Sequence, residues 1–330
     1  MIKNKTRVLY KLALLGFFIS AVWLGDIVFL PQSIANSEYR LVISKNEHLN
    51  EVAKKLADDN IVKSSWMFLL LLKSLGYDKK VNAGMYIFKQ SVSLWALVSR
   101  ITHGKPDQIS IVIAEGITFG ALKEYIDSLA DIKHFTATQS EANIRAILKI
   151  PYANLEGIFY PDTYFIVPGQ SDLEVYQHAY RRMQLQTESL YLTKESVAVV
   201  KSPYELLILA SLIQKETGKI DDMVLVSTVF NNRLRVGMKL QNDPAVFYGL
   251  RQKDKIVRKD FLINTPYNTY LHSGLPPTPI CIPSLSALKA ASKPESNPEL
   301  LYFVAIGNGK TRFTDSYKEH KKVIKKYLKQ

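Results

Sequence analysis

Ser202-Pro-Tyr-Glu-Leu-Leu-Ile-Leu-Ala-Ser-Leu-Ile-Gln-Lys-Glu-Thr-Gly218 is the stretch on which the fold turns. Ser202 at the N-cap, Pro203 at the first helical position and Glu205 at the third form a capping box, which predicts a helix start. Gly218 predicts its end, so the helix is expected over 203–217. Within it, Leu209, Leu212, Ile213 and Glu216 fall at i, i+3, i+4 and i+7, so Glu216 continues the apolar stripe at the C-terminal end. Gln214 and Lys215 point elsewhere. A carboxyl beside buried leucines, near the negative end of a helix dipole, has a raised pKa. It can hold a proton near neutral pH and donate it to a leaving oxygen. A Glu that turns out to solvent at a helix end fits the same spacing, and on spacing alone both readings stand.

Downstream of that helix the chain is dense in groups that suit carbohydrate. Asp221 and Asp222 open the next helix, Gly237 closes it, and a loop from Met238 to Pro244 leads to a short helix ending at Gly249. Asn231, Asn232 and Arg233 sit on the helix, and Gln241, Asn242 and Asp243 on the loop. Tyr267, Asn268, Thr269 and Tyr270 follow, ahead of Gly274-Leu-Pro-Pro-Thr-Pro-Ile280. Amides and hydroxyls bracket sugar hydroxyls, and tyrosine faces stack on pyranose rings, in a pocket of apolar walls with few polar groups. Each residue is commonplace alone, since Asn in a turn usually serves the backbone. Their density makes them candidate substrate contacts.

Upstream, residues 31–38 read as a short polar linker. Tyr39 to Ile43 alternates like a strand, and His48 to Asp59 carries a helical stripe at 49, 52, 53 and 56. A helix over about 64–75, a strand over 81–88 and a helix from Ser93 to Ile101 complete a strand–helix–helix–strand–helix module, 39–104. It holds no clustered acid, His or Cys, so it reads as a binding module or spacer. Beyond Gly104 the pattern predicts a strand at 108–114 and helices at 119–130, 139–148 and 172–191. Between the last two lies the aromatic-rich Leu155-Glu-Gly-Ile-Phe-Tyr-Pro-Asp-Thr-Tyr-Phe-Ile-Val-Pro-Gly169. Near the C-terminus, Tyr302 to Ile306 and Thr311 to Thr314 flank Asn308-Gly309, a hairpin turn signal.

At 330 residues and 47% hydrophobic, the chain can bury a core and is not a disordered segment. The net charge of +13 suits nucleic acid, anionic headgroups or an acidic polymer without choosing among them. No zinc-ligand spacing, phosphate loop or RNA-binding aromatic signature accompanies it, so no nucleic-acid partner, metal or cofactor is expected. Much of the excess lies in Lys318, Lys321, Lys322, Lys325, Lys326 and Lys329, the solvated face of a last helix. The one cysteine, Cys281, excludes an intramolecular disulfide and has no nearby base, so it reads as inert packing.

Lys3, Lys5 and Arg7 precede Leu12-Ala-Leu-Leu-Gly-Phe-Phe-Ile-Ser-Ala-Val-Trp-Leu-Gly25, and Ile27 to Leu30 extend the run past Asp26. Basic residues before an apolar segment keep the N-terminus cytoplasmic and send the rest outward. A retained anchor over 9–30 is expected, after a cytoplasmic stub 1–8. A cleaved signal peptide is the rival, with Ser33-Ile34-Ala35 as a small-x-small site. In both cases the folded part is exported.

Ala210-Ser-Leu-Ile-Gln-Lys-Glu-Thr217, Val229-Phe-Asn-Asn-Arg-Leu-Arg-Val-Gly-Met-Lys-Leu-Gln-Asn-Asp-Pro244, Pro266-Tyr-Asn-Thr-Tyr270 and Gly274-Leu-Pro-Pro277 resemble the motifs of the endolytic murein transglycosylase (YceG-like) family. So do Leu155-Glu-Gly-Ile-Phe-Tyr-Pro-Asp-Thr-Tyr164 and Leu301-Tyr-Phe-Val-Ala305, and the likeness runs in order over roughly 40–330. The resemblance implies an α+β architecture: a single N-terminal membrane helix, a LysM-like subdomain at 39–104 and a larger mixed α/β catalytic domain at 105–330. It implies an enzyme of the inner membrane with its catalytic domain in the periplasm. Such an enzyme cuts the β-1,4 bond between N-acetylmuramic acid and N-acetylglucosamine inside nascent strands, leaves 1,6-anhydro ends and terminates elongation. Peptidoglycan synthases or division proteins are the implied protein partners.

The family's catalytic Glu lies in an Ala-Ser-x-x-Glu-Lys-Glu-Thr helix. Here its first acid is Gln214, which leaves Glu216 for the role. The implied nucleophile is the substrate's own C6 hydroxyl, whose intramolecular attack replaces the second carboxylate of an ordinary glycosidase. Asp243 and Asp162 remain available as second acids, with Asp243 inside the family motif. Two other readings stay open, a hydrolase and a non-catalytic peptidoglycan-binding scaffold.

Overall fold

The computed structural model describes residues 14, 15, 18, 22, 25, 26, 28–44, 47–130, 132–167, 169–251, 258–307 and 310–327. They divide into two units, one of residues 1–109 with 165–169, the other of 110–164 with 170–330.

The first unit is built on an antiparallel pair, β1 (Gln32–Ile43) and β2 (Gly84–Val92), with α1 (Leu49–Asp58), α2 (Ser65–Ser74) and α3 (Leu94–His103). This is the expected order of strand, two helices, strand and helix. Its core is Leu41, Val52, Leu56, Phe68, Leu72, Tyr86, Leu97 and Ile101. The α1 stripe supplies Val52, Ala53 and Leu56, as a helix with one apolar face must. Asp107 ties the end of the unit together: Ile87 N–H donates to its Oδ2 over 2.7 Å and Arg100 Nη2 to its Oδ1 over 2.8 Å.

One expectation at the N-terminus needs correction, and another finds no support among the described residues. The segment 31–38 is not a linker. β1 starts at Gln32, which pairs with Val92, and Ser33 with Ser91, before the register shifts and resumes at Glu38 opposite Lys89. Its polar composition hid an edge in which Ile34 still packs on the core. The membrane helix over 9–30 is not supported either: no helix among the described residues is long and apolar enough to cross a membrane. The stub 1–8 and much of the apolar run lie outside the described residues.

The second unit centres on α7 (Pro203–Glu216). It follows α4 (Phe119–Asp127), α5 (Glu141–Ile147) and α6 (Asp172–Leu192), and precedes α8 (Ile220–Arg235), α9 (Asp243–Leu250) and α10 (Leu285–Ser292). Every residue of α7 from Leu206 to Ile213 is buried, so this is a core helix apolar all round, not a one-faced one. α6, α8, α9 and α10 all pack on it. Its capping is slightly displaced from the expected box: Ser202 Oγ accepts from Glu205 N–H (3.1 Å), while Glu205 reaches past the cap to Lys201 N–H (2.7 Å). The helix ends because Thr217 turns extended, not through a left-handed Gly218. Gly237 behaves as expected. At φ 70° it donates to Leu234 O while Met238 N–H reaches Arg233 O, the paired bonds of a Schellman cap.

Short strands β3 (Ile109–Val112) and β4 (Thr163–Ile166) form a second pair. β5 (Tyr302–Ala305) and β6 (Thr311–Thr314) form the expected hairpin, whose Asn308-Gly309 turn lies outside the described residues. α11 (Tyr317–Tyr327) is the lysine-rich last helix and buries none of its residues fully. The 3₁₀ turn Arg258–Leu262, β4 and α10 carry no sequence signal strong enough to predict them.

Candidate active site

The end of α7 delivers Glu216 to the start of α9. Asn242 Nδ2 donates to Glu216 Oε1 over 2.6 Å. Asn242 is fully buried and fixed at every polar group. Its Oδ1 caps α9 by accepting from Ala245 N–H (2.8 Å), its N–H donates to Thr269 Oγ1 (2.8 Å), and its carbonyl accepts from the same hydroxyl (3.2 Å). The cap dictates which way the amide faces, so the NH₂ can only point at the carboxylate.

Burial pushes the Glu216 carboxyl up from 4.5 to about 7. The Asn242 hydrogen bond pulls against this, the Asp243 charge adds to it, and the Arg233 charge opposes it. A carboxyl poised there can give and take back a proton near neutral pH. Asp243, the first residue of α9, is exposed and accepts from Tyr270 OH over 2.6 Å. Tyr270 is set edge-on against Phe261, ring centroids 4.7 Å apart, and burial raises its hydroxyl's pKa. The site thus offers one shielded acid and one solvated one, two carboxyls in contrasting surroundings.

The other predicted residues divide by what their side chains hold. Arg233 is 6% exposed and donates from Nε to Leu301 O (2.8 Å) and from Nη1 to Leu240 O (2.7 Å), which positions the loop carrying Asn242. Thr269 braces Asn242 directly. Gln241, in the left-handed region at φ 50°, donates its N–H to Thr269 O, so the two loops are stitched side by side. Asn268 Nδ2 donates to Phe261 O (3.0 Å) and Ile263 O (2.7 Å), closing the turn that presents Tyr270. Tyr267 OH meets Thr278 Oγ1 at 2.8 Å. Asn231 and Asn232 face away into the fold: Asn231 holds Ser227 and Val199, and Asn232 holds the carbonyls of Asn297 and Leu300. Asp162 is paired with Arg182 of α6 at 2.5 Å.

Gln214, standing where the resemblance expects an acid, has a structural task. Its Oε1 accepts from the N–H of Ser284, the N-cap of α10, over 2.9 Å. Either Gln or Glu can supply that acceptor. Cys281 is buried and its thiol is pushed up by burial, in keeping with inert packing.

Two residues escaped sequence reasoning, and a third reads there only as a candidate sugar contact. Asn242 was visible only as one polar residue of a loop, although Asn-Asp-Pro before an apolar run is a legible helix start. Glu156 is 5% exposed and accepts from Phe119 N–H at the start of α4 (2.9 Å) and from Tyr248 OH of α9 (3.1 Å). Burial raises it to about 7. Its signal is a lone acid between Leu155 and the buried Ile158-Phe159-Tyr160. Tyr248, its partner, had no signal at all. Elsewhere, ligand atoms of Asp127, His134 and Asp172 lie within 4.8 Å of one another. Asp172 there accepts from Phe135 N–H and from Thr136 N–H and Oγ1, which makes the group a hydrogen-bonded joint at the start of α6.

The YceG-like family model matches residues 41–326. An endolytic murein transglycosylase of Bacillus subtilis (strain 168) is 31% identical over 310 residues, 87% of this chain and 84% of that protein. One from Streptococcus pneumoniae (strain D39) is 27% identical over 91% of this chain and 60% of its own length. The 2.6 Å crystal structure of a yceG-like protein from Listeria monocytogenes is similar at TM-score 0.54 and 26% identity, over 88% of this chain and all of that one.

Proposed function

Since this chain belongs to the YceG-like family, we infer that it is a lytic transglycosylase that cuts peptidoglycan glycan strands internally, with Glu216 as general acid and base. The observation that carries the reading is the carboxyl of Glu216, raised to about 7 and gripped on one oxygen by Asn242. Its other oxygen is left to handle the proton. Relatives named as endolytic murein transglycosylases supply the substrate class.

The step needs no second protein carboxylate. Glu216 gives its proton to the bridging oxygen as the bond from C1 of N-acetylmuramic acid breaks. The C6 hydroxyl of the same sugar attacks C1 and its proton passes to Glu216. The products are a free 4-hydroxyl on N-acetylglucosamine and a 1,6-anhydro ring, with no water consumed and the acid restored. Intramolecular attack has a high effective molarity, which offsets the lack of a nucleophilic side chain. Asp243, tied to Tyr270, acts through its charge and as a contact for sugar hydroxyls. Tyr267, Gln241 and Tyr270 are further candidates for those contacts.

The same reading places the chain in the inner membrane by a single pass, with both folded units in the periplasm. Lys3, Lys5 and Arg7 before the apolar run support it. Cleavage at Ser33-Ile34-Ala35 is disfavoured, because it would remove the residues that pair with Val92 and Ser91. The strand–helix–helix–strand order of the first unit supports a LysM-like glycan-binding role. Termination of nascent strands beside synthases or division proteins follows from the family resemblance.

Purified sacculi digested with wild type and with Glu216→Gln, compared by mass spectrometry, test the assignment. Wild type should release anhydro-ended fragments and the variant none, while both still bind sacculi. Ends heavier by one water would make the enzyme a hydrolase, and a variant that still cuts would displace Glu216.

A further inference from the structure

The first unit gathers exposed aromatic surface around the point where the chain enters it. Leu30 N–H still donates to Asp26 O in a helical bond, and β1 begins at Gln32, so only Pro31 separates the apolar run from the folded unit. Gln32, Lys63, Ser64, Met67 and Leu94 line one shallow depression. The start of β1 and the N-terminal ends of α2 and α3 therefore meet at one end of the unit. Each of these helices carries a tryptophan two residues after its capping serine, Trp66 after Ser64 and Trp95 after Ser93. Trp66 is 61% exposed and Trp95 40%. The ring of Phe29, also exposed, lies 5.9 Å from that of Trp95, and Leu70 continues the apolar surface one turn beyond Trp66.

Grouped exposed aromatics of this size mark an interaction surface. We propose that this end of the first unit rests on the lipid bilayer, with Trp66 and Trp95 seated among the headgroups of the membrane that holds the apolar run. The inference rests on the membrane-anchor reading above. Three features select lipid as the occupant. Tryptophan favours the headgroup level, where its ring is buried and its N–H stays wet. Exposed Lys63 stands at the same end, and its charge suits lipid phosphates. Above all, Gln32 can lie no more than about 7 Å from Leu30, so this end of the unit has no freedom to leave the surface. Of the acids in the turn before Lys63, Asp59 accepts from Tyr39 OH (2.8 Å), farther along β1.

The chain has three tryptophans, and Trp23 lies in the apolar run. The full chain carrying Trp23→Phe is reconstituted into phosphatidylcholine–phosphatidylglycerol vesicles, with acyl chains plain or brominated close to the headgroup. Emission from Trp66 and Trp95 should move to shorter wavelength and lose intensity in brominated vesicles, and Trp66→Ser and Trp95→Ser should each remove part of that loss. If the chain floats with the vesicles but its emission stays that of water-exposed tryptophan, the docking is overturned and the anchor stands. Quenching by added soluble glycan strands, with no effect of bromination, overturns it in favour of a sugar face. A chain that does not float overturns anchor and docking together.

Discussion

Asn242 Nδ2 lies 2.6 Å from Glu216 Oε1, and the same amide's oxygen caps α9. One side chain thereby joins the reactive carboxyl to the start of a helix. The carboxyl's proton affinity is set against a donor that cannot rotate away.

Asn242→Asp keeps the cap, because its carboxylate still accepts from Ala245 N–H, but it replaces the donor to Glu216 with a like charge. Wild-type cleavage should fall as pH rises through about 7, where Glu216 loses the proton it must donate. In the variant that falling limb should move up, by roughly one pH unit for the loss of a charge-assisted bond. A kcat/KM profile against pH checks it, and an unmoved limb would remove Asn242 from control of the acid.

Gln214→Glu should leave activity and stability near wild type, since a carboxylate accepts from Ser284 N–H and suits the start of α10. Gln214→Ala strands that amide and should cost about 1–3 kcal/mol. Chemical denaturation of the two variants side by side separates a structural acceptor from a catalytic group. A large rate gain in Gln214→Glu would show the position to be chemical after all.

Glu156 gives a stability prediction with a definite sign. Its folded pKa of about 7 lies above the ordinary 4.5, so the folded state binds its proton more tightly. Stability linked to this group is present below about 4.5 and is lost as pH rises through 7, an effect of up to about 3 kcal/mol. Glu156→Gln, neutral at every pH, should be more stable than wild type at pH 8 and lose that advantage near pH 4. Melting temperatures at the two pH values check this; a gap that widens on acidification would contradict it.

Gly157→Ala should destabilise by at least about 2 kcal/mol, because a left-handed backbone and a crowded site act together. Gly157 has φ 73°, and a Cβ there would come within 2.4 Å of Pro279 Cβ and 2.8 Å of the Cys281 carbonyl oxygen. Urea unfolding measures the loss. A neutral result would mean that the 279–281 loop yields easily.

What the sequence made legible follows the range of each signal. Ser202, Pro203 and Glu205 act within one turn, so the start of α7 could be read to the residue, as could the cap at Gly237. The exposure of Glu216 could not, because α7 is buried on all sides and its apolar stripe carries no directional information. Asn231, Asn232 and Arg233 illustrate the same limit. Three consecutive polar residues on a helix point in three directions, and the partners that claim them, Val199, Leu240, Asn297, Leu300 and Leu301, lie up to 68 residues away. Glu156 depends on Tyr248, 92 residues distant, and no local pattern reports such a pair. The polar run 31–38 failed for the opposite reason: its composition was loop-like, while its pairing was decided by β2.

The single residue between Leu30 and Gln32 has a consequence for timing. If the apolar run lies in the bilayer as proposed, Pro31 alone separates it from the first unit, and that unit would have no tether to pay out. A glycan strand would then meet the first unit while it is young and lies next to the membrane. Once later layers displaced it outward it would leave that zone, so on the proposed placement Pro31 would make the age of a strand, as much as its chemistry, a condition for being bound.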